Sequence, residues 1–357
     1  MHKLFFLIGL LTTACSKSSN PSSTLPPVVP TKQLTIKAAD ASFIPQIRNN
    51  NLVAKNVAGQ PEDMLTTLKN EGFNTIRLRL WKDPSTALSS FTEVKTFAQE
   101  IKSKGMKVWL SVHYSDTWAD PGTQTKPAAW AGASFAQLKD SVYVYTKKIV
   151  TEINPDIIQI GNEIDAGLLW PEGKSNNLQQ MKALIAEGIR AVREQSSQTK
   201  IMLHNAGIDG AAFFFTNVSS LDYDIMGLSY YPFWHGKDLS LVQTTLNSLG
   251  TQFNKDIVIA ETSYPFTLGW NDYTNNIIGL NSQILPEYPA TEQGQKDFLT
   301  RIKTIVLNSN RGIGVCYWGG EWVAFLGPLS TNGSSWENQA LWDFNNKALP
   351  AISVFKN

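Results

Sequence analysis

Cysteine is almost missing from this chain: its 357 residues hold two, Cys15 and Cys316. Cys15 falls in a short leader, so the folded part is expected to carry one thiol and no internal disulfide. Cys316 sits in the apolar run "GIGVCYW" (312–318) and reads as a small core residue. Histidine is scarce too. The four histidines are scattered without metal-ligand spacing, so no metal is predicted at the working site and no cofactor is required. Net charge is only +1, which removes the electrostatic case for nucleic acid or an acidic partner. No GxGxxG or Walker pattern follows the first predicted strand, which argues against a nucleotide site.

What is present is a 42% apolar composition, enough for a full core, and 11 tryptophans, more than a core of this size requires. Several fall in predicted loops, where flat indole faces make platforms for sugar rings.

The N-terminus reads as a bacterial export signal. His2 and Lys3 precede the apolar run "LFFLIGLL" (4–11). That run is too short to span a bilayer, which takes about 20 residues. Thr13-Ala14-Cys15 then resembles a lipoprotein processing site, although the leucine usual three places before the cysteine is Leu11, one place further back. Residues 16–33, "SKSSNPSSTLPPVVPTKQ", are Ser/Pro-rich and suit an extended tether. The expected product is a membrane-anchored lipoprotein that meets the membrane only through Cys15. The stretch "SKSSN" has no acidic run, which favours the periplasm and leaves the cell surface open.

From residue 34 onward, short apolar runs alternate with helix-period stretches. Strands are predicted at 34–41, 74–81, 106–113, 156–162, 200–205, 223–231, 256–262 and 312–318. Helices are predicted between most of them, the fifth crossover being too short for a long one. Such alternation implies an α/β protein with a parallel sheet. A doubly wound sheet is one solution. A single (β/α)8 TIM barrel over 34–357 fits better, since that fold typically takes about 250 residues or more.

In such a barrel the chemistry belongs to the C-terminal ends of the strands. There the chain places Arg77, Arg79 and Trp81, then His113 and Asp116, then Asn162-Glu163, Tyr230-Tyr231, Glu261 and Trp318. One glutamate at a strand end is usually a solvated charge. Two, on the fourth and seventh strands, can face each other across the mouth. Retaining glycosidases need two carboxyls about 5–5.5 Å apart, one as nucleophile and one as acid/base, and no metal.

The motifs go further. "NTIRLRLWKDP" (74–84), "HYSDTWADP" (113–121), "IQIGNEIDAGLLWPEG" (158–173), "DIMGLSYYPFW" (224–234), "DIVIAETSYPFT" (256–267) and "WENQALWDFNNKALP" (336–350) resemble glycoside hydrolase family 53, the endo-β-1,4-galactanases. The chain differs from the family pattern at Asp165, where Asn is usual, and at Trp318-Gly319-Gly320-Glu321-Trp322, where the family tends to Trp-Glu-Pro. The resemblance implies a retaining enzyme acting on β-1,4-galactan, with Glu163 as general acid/base and Glu261 as nucleophile. It places Arg79 beside Glu261, with Arg77 on the same strand face. Tyr230 is the preferred hydrogen-bond donor to Glu261 and Tyr231 the alternative. Asn162 is expected to bind the sugar 2-OH, and His113 either joins that network or is structural. Trp81 and Trp318 are candidate stacking floors. Asp116 is read first as loop-shaping and second as substrate-binding. Glu321 is either a substrate contact or a solvated loop charge. Trp170 is either a subsite floor or a packing residue. The loop "GWNDYTNN" (269–276) leaves a structural Ca²⁺ undecided. A monomer cutting the polymer internally is expected, because the rim tryptophans suit an open groove. The competing readings are a β-mannanase or cellulase on a similar barrel, and a non-catalytic glycan-binding lipoprotein.

The anchor has a direct test. Cys15→Ala should move the protein from the membrane fraction to the soluble fraction with unchanged specific activity. A mutant that stays with the membrane overturns the lipoprotein reading.

Overall fold

Buried on both faces, the strands keep even their polar residues inside: "TIRLRL" (75–80) alternates polar and apolar yet is buried at all six positions. That is the signature of a parallel sheet covered by helices. The computed structural model describes Met1 and residues 32–356; Cys15 and most of the tether lie outside the described residues. The strands are β1 (Ile36–Asp40), β2 (Thr75–Leu80), β3 (Lys107–Val112), β4 (Ile157–Ile160), β5 (Lys200–Asn205), β6 (Ile225–Ser229), β7 (Asp256–Thr262) and β8 (Gly312–Tyr317). They pair in sequence order, and β8 closes on β1 in parallel register, Cys316 beside Ala38. This is the (β/α)8 barrel expected from the alternation.

The crossover helices are α1 (Ile44–Asn49) and α2 (Met64–Asn70), then α3 (Phe91–Ser103), α4 (Phe135–Ile153), α5 (Leu178–Gln195), α6 (Ala211–Val218), α7 (Pro232–His235), α8 (Leu239–Phe253) and α9 (Glu292–Asn308). Their starts follow capping chemistry. Ser90, Asp238 and Thr291 each accept an amide of the first turn, and Ser134 with Gln137 forms a reciprocal box. The fifth crossover holds only the eight residues of α6.

Strand periodicity sorts side chains into two sets. Outward residues such as Leu78, Leu110, Ile158 and Leu203 join the helices in the main core. Inward residues form a separate plug: Ile36, Ala38, Trp109, Ile157, Met202, Ile225, Val258, Ala260 and Cys316. One step nearer the C-terminal mouth the same inward rows turn polar. Asp40 follows Ala38, Ser111 and His113 follow Trp109, Gln159 follows Ile157, His204 follows Met202, and Ser229 lies two positions beyond Gly227; all of these polar residues are buried. A dry floor thus carries a polar deck.

The seventh strand breaks the alternation. Leu228 pairs with Ile259 but Ser229 pairs with Glu261, so β7 holds one extra residue there. Val258 and Ala260 face inward, and strict alternation would send Glu261 outward. The bulge re-aims it, the usual effect of an inserted strand residue.

Trp109 is fully buried in the plug, beneath the Arg77 guanidinium at 5.5 Å from ring centre to Cζ. Trp109→Ala should destabilise the barrel by roughly 3–5 kcal/mol in urea unfolding, whereas Trp270→Ala, on the surface, should stay within about 0.5 kcal/mol. Equal small effects would show that the plug does not carry the fold.

Candidate active site

Glu163 reaches the mouth through a tight turn. β4 stops at Ile160, and Gly161 follows with φ +80°, where an added Cβ would meet Ile164 Cγ2 at 2.4 Å. Glu163 itself lies in the left-handed region at φ +46°, an uncommon place for a non-glycine residue and one that often marks a functional site. Its Oε1 accepts a 2.5 Å hydrogen bond from Ser229 Oγ, and its amide donates to His204 Nδ1 at 3.3 Å.

Glu261, re-aimed by the bulge, has different company. Arg77 Nη2 lies 2.7 Å from its Oε1, and the Tyr231 hydroxyl donates to its Oε2 at 3.0 Å. Arg77 also pairs with Asp40 at 3.1 Å and donates to Asn162 Oδ1 at 2.9 Å. The Asn162 amide nitrogen donates to the Ala119 carbonyl at 2.9 Å, leaving its second hydrogen for a ligand.

These environments separate the two acids. Burial, then the negative charge of Glu261, push the Glu163 carboxyl up to about 8. Burial also raises Glu261, but Arg77 and the Tyr231 hydroxyl pull it back toward the ionised form. His113 and His204 are held neutral, far below the ordinary imidazole range, by burial and the nearby arginines. His113 Nδ1 accepts the Ala119 amide at 3.0 Å, which leaves the proton on Nε2.

Both glutamates line one cavity of about 780 Å³, with Asp40, Arg77, Arg79, His113 and Asn162. Its walls are aromatic. Trp118, Trp318 and Trp322 pack on one another at 6.0–6.4 Å, and Trp318 meets Trp336 edge-on at 4.8 Å. Trp336 stacks parallel to the half-exposed Trp234 at 6.1 Å.

The sequence model for Glycosyl hydrolase family 53 matches residues 36–355. The chain belongs to glycosyl hydrolase family 53. It is 32% identical to an endo-beta-1,4-galactanase of Bacillus subtilis, over 90% of this chain and 85% of that one. It is 31% identical to arabinogalactan endo-beta-1,4-galactanase A of Aspergillus niger, over 93% and 97%. Among solved structures, the GH53 catalytic domain of Ignisphaera aggregans superposes with a TM-score of 0.85 at 35% identity, covering 92% of this chain and 97% of that one. A GH113 beta-1,4-mannanase superposes at 0.54 with 12% identity and shares the fold alone.

Within this family 53 barrel, several expected roles change hands. Arg77, not Arg79, holds Glu261. Both point inward, but Arg77 lies deeper, where its guanidinium reaches five neighbours across the deck; Arg79 bonds Ser89 at 3.0 Å and sits 3.9 Å from the Trp118 ring centre. Tyr231, not Tyr230, donates to Glu261, because it shares the inward face with Ser229; the Tyr230 hydroxyl goes to the Gly236 carbonyl at 2.8 Å. Trp81 is no floor: it is buried edge-on behind Trp118 at 5.5 Å and does not line the cavity. Asp116 is not free for substrate, since its carboxylate accepts the amides of Asp83 and Ala128 at 3.0 and 2.8 Å.

Of the open alternatives, Trp170 takes the packing role, with its indole on the Ala166 carbonyl and Lys174 over its ring. Glu321 is neither solvated nor in the cavity lining; it is buried and accepts the Phe43 amide at 3.0 Å. In the loop 269–276, Asp272 accepts the Thr274 amide and Glu337 accepts the Asn271 amide, at 2.6 and 2.5 Å. Among the described residues no group of three or more His, Cys, Asp or Glu is placed to hold a metal.

Sequence reasoning passed over Asp40, Gln124, Ser229, His204 and Trp336. Asp40 and Ser229 are strand-end residues on inward rows, so period-two counting would have found them. Gln124, whose amide donates to the Asn162 carbonyl at 2.8 Å, leaves no such signal.

Tyr231 gives the prediction. A charge-assisted hydrogen bond contributes about 1.5–3 kcal/mol, so Tyr231→Phe should lower hydrolytic turnover roughly 10- to 100-fold. With a donor to the anion gone, Glu261 ionises at higher pH, and the acid limb of the pH–rate profile moves up. Tyr230→Phe should leave that limb in place. The reverse pattern would assign the contact wrongly.

Proposed function

We propose that this chain cleaves β-1,4-galactan internally and with retention of configuration, with Glu261 as nucleophile and Glu163 as general acid/base. The observation that carries this reading is the asymmetry of the two carboxylates in one cleft. Glu261 has a cation and a hydroxyl donor, so it is kept anionic. Glu163 has a hydroxyl donor and a facing anion, so it is kept protonated. The named galactanases among the relatives support the substrate.

The steps follow from those states. A Glu261 oxygen attacks the anomeric carbon, and the bond to the glycosidic oxygen breaks. That oxygen takes the Glu163 proton and departs as an alcohol. The ester formed on Glu261 carries no charge, so the main electrostatic reason for Glu163 to stay protonated disappears. Glu163, now a carboxylate, removes a proton from water; the hydroxide attacks the anomeric carbon, and Glu261 leaves as an anion. Asn162 and Arg77 stand beside the nucleophile, where contacts to the sugar 2-OH strengthen as charge develops.

The aromatic walls favour an open groove over a pocket that closes on a chain end. Trp234, Trp318, Trp322 and Trp336 offer faces or edges that tolerate many sugar orientations. The chain is further proposed to act as a monomer tethered to the bacterial membrane through Cys15. Galactose carries an axial 4-OH where glucose and mannose carry an equatorial one, and the galactanases among the relatives favour galactan over mannan and cellulose.

A chemical rescue separates the roles. Glu163→Ala and Glu261→Ala should both abolish galactan cleavage while keeping the native circular dichroism. With an activated aryl glycoside, azide should rescue Glu163→Ala and yield the β-azide; with Glu261→Ala it should yield the α-azide. Swapped products would reverse the assignment. Reducing-sugar release should be confined to galactan over mannan and cellulose, with an early spread of oligosaccharides. Immediate release of galactose alone would rule out the internal-cleavage reading.

A further inference from the structure

A second polar chain lies behind Glu163, and the proposed mechanism does not use it. It starts at Arg77, whose Nη2 faces Gln159 Oε1 at 3.5 Å. That contact, with the donation from Gln159 Nε2 to the Gly161 carbonyl at 3.1 Å, fixes which end of the amide is which. The same amide nitrogen lies 3.0 Å from His204 Nδ1, and the Glu163 amide also donates to that nitrogen. His204 Nδ1 is therefore an acceptor. The ring is neutral, because burial, Arg77 and His235 all disfavour its charged form. Its one proton sits on Nε2, 3.0 Å from Ser229 Oγ. With His204 donating to it, the Ser229 hydroxyl must spend its own hydrogen elsewhere, and Glu163 Oε1 is 2.5 Å away. Gln159 Nε2 also reaches Asn162 Oδ1 at 3.0 Å, so it is the Glu163 amide that fixes Nδ1 as acceptor, and from His204 onward each donor has one direction.

We propose that Ser229, held by His204 as a one-way donor, confines the acid proton of Glu163, a residue that lines the cleft, to Oε2, the oxygen to which no described residue donates. Ser229 and His204 are positioning residues: both are fully buried, neither lines the cavity, and they act through Glu163. The inference rests on the acid/base reading of Glu163. A carboxylic acid whose Oε1 must accept cannot carry its hydrogen there without two hydrogens meeting in one short contact. The acid is thus aimed before substrate binds, at a site where misplacing a group is costly. When Glu163 ionises, the same hydrogen bond stabilises the anion and prepares the base.

The groups facing Glu163 are Glu261 from β7, Arg77 from β2, Asp165 on its own loop, Tyr231 after β6 and His204 from β5. None of them is altered by Ser229→Ala, so a change in titration reports the hydroxyl. Ser229→Ala loses a donor to the anion, and the alkaline limb of the rate profile should move up by on the order of one pH unit. Turnover of galactan, whose leaving alcohol needs the proton, should fall roughly 10- to 100-fold. The glycosylation step with a dinitrophenyl glycoside, whose leaving group needs none, should change by less than about threefold. His204→Gln, whose amide reaches the place of Nε2, should keep the alkaline limb. His204→Leu should move it in the same direction as Ser229→Ala.

Equal losses on both substrates, with the limb unmoved, would overturn the proposal and leave Ser229 a packing residue. Should Ser229→Ala fail to fold, the histidine pair decides alone: no difference between His204→Gln and His204→Leu also overturns it. Failure of the underlying reading looks different. In that case Glu163→Ala itself keeps its activity on galactan or is not rescued by azide.

Discussion

One buried cation organises the mouth of this barrel. The Arg77 guanidinium is 2% exposed, in the polar deck above a dry plug. Unpaired burial of such a charge would cost several kcal/mol. Two carboxylates, on β1 and β7, and three neutral acceptors, on β3, on β4 and just beyond β4, surround it instead. A single side chain therefore ties four other strands to β2. The arrangement also works in reverse: Arg77 draws the buried Glu261 toward its ionised form against the cost of its burial. A carboxylate needed as an anion is thus secured by the same contact that keeps the barrel mouth assembled, so the site and the fold share a cause.

The inward rows explain why the chemistry lies where it does. On β1, β3, β4, β5 and β6 an Ile, Ala, Trp or Met lies deep on the inward row and a polar group lies above it. The floor excludes water and strengthens every interaction above it. The deck is then a place where a proton can be assigned to one atom. Alternation alone would not deliver Glu261 to that deck. The extra residue in β7 does, at the cost of a break in the ladder. Glu163 needs a comparable departure, the left-handed pair Gly161 and Glu163. Both acids are presented by irregular backbone on an otherwise regular scaffold.

That distinction sets what the sequence could disclose. Eight strand-like runs with helical stretches between them were enough for the barrel, because most of them, buried on both faces, read as continuous apolar runs. The two glutamates stood out because a carboxylate at the end of such a run is out of place. Their partners were harder. Arg77 and Arg79 share one face, so periodicity cannot choose between them; reach and depth do. Tyr230 and Tyr231 lie on opposite faces, and counting from Ser229 would have chosen Tyr231. Trp81 and Trp118 are both tryptophans after strands. Only packing shows that Trp118 covers Trp81 and is itself supported by Arg79. Asp116 was legible as a loop residue because amide-accepting aspartates are what turns use. The bulge left no mark in composition.

Charge explains why the two acids differ, and hydrogen-bond direction explains how each is aimed. Glu261 receives donors on both oxygens, from Arg77 and Tyr231, so neither oxygen has reason to hold a proton. Among the described residues Glu163 receives one donor on one oxygen, which leaves the other for the proton. A site with two donors on each acid would favour two anions and lack an acid. A site with none would leave the neutral acid free to place its proton on either oxygen. Arg77 feeds both arrangements, directly at Glu261 and through Gln159, His204 and Ser229 at Glu163. Because that cation cannot lose its proton at any relevant pH, its donation to Glu261 is fixed; the Glu163 amide fixes the direction from His204 onward, and the working proton is the movable one left at the cleft.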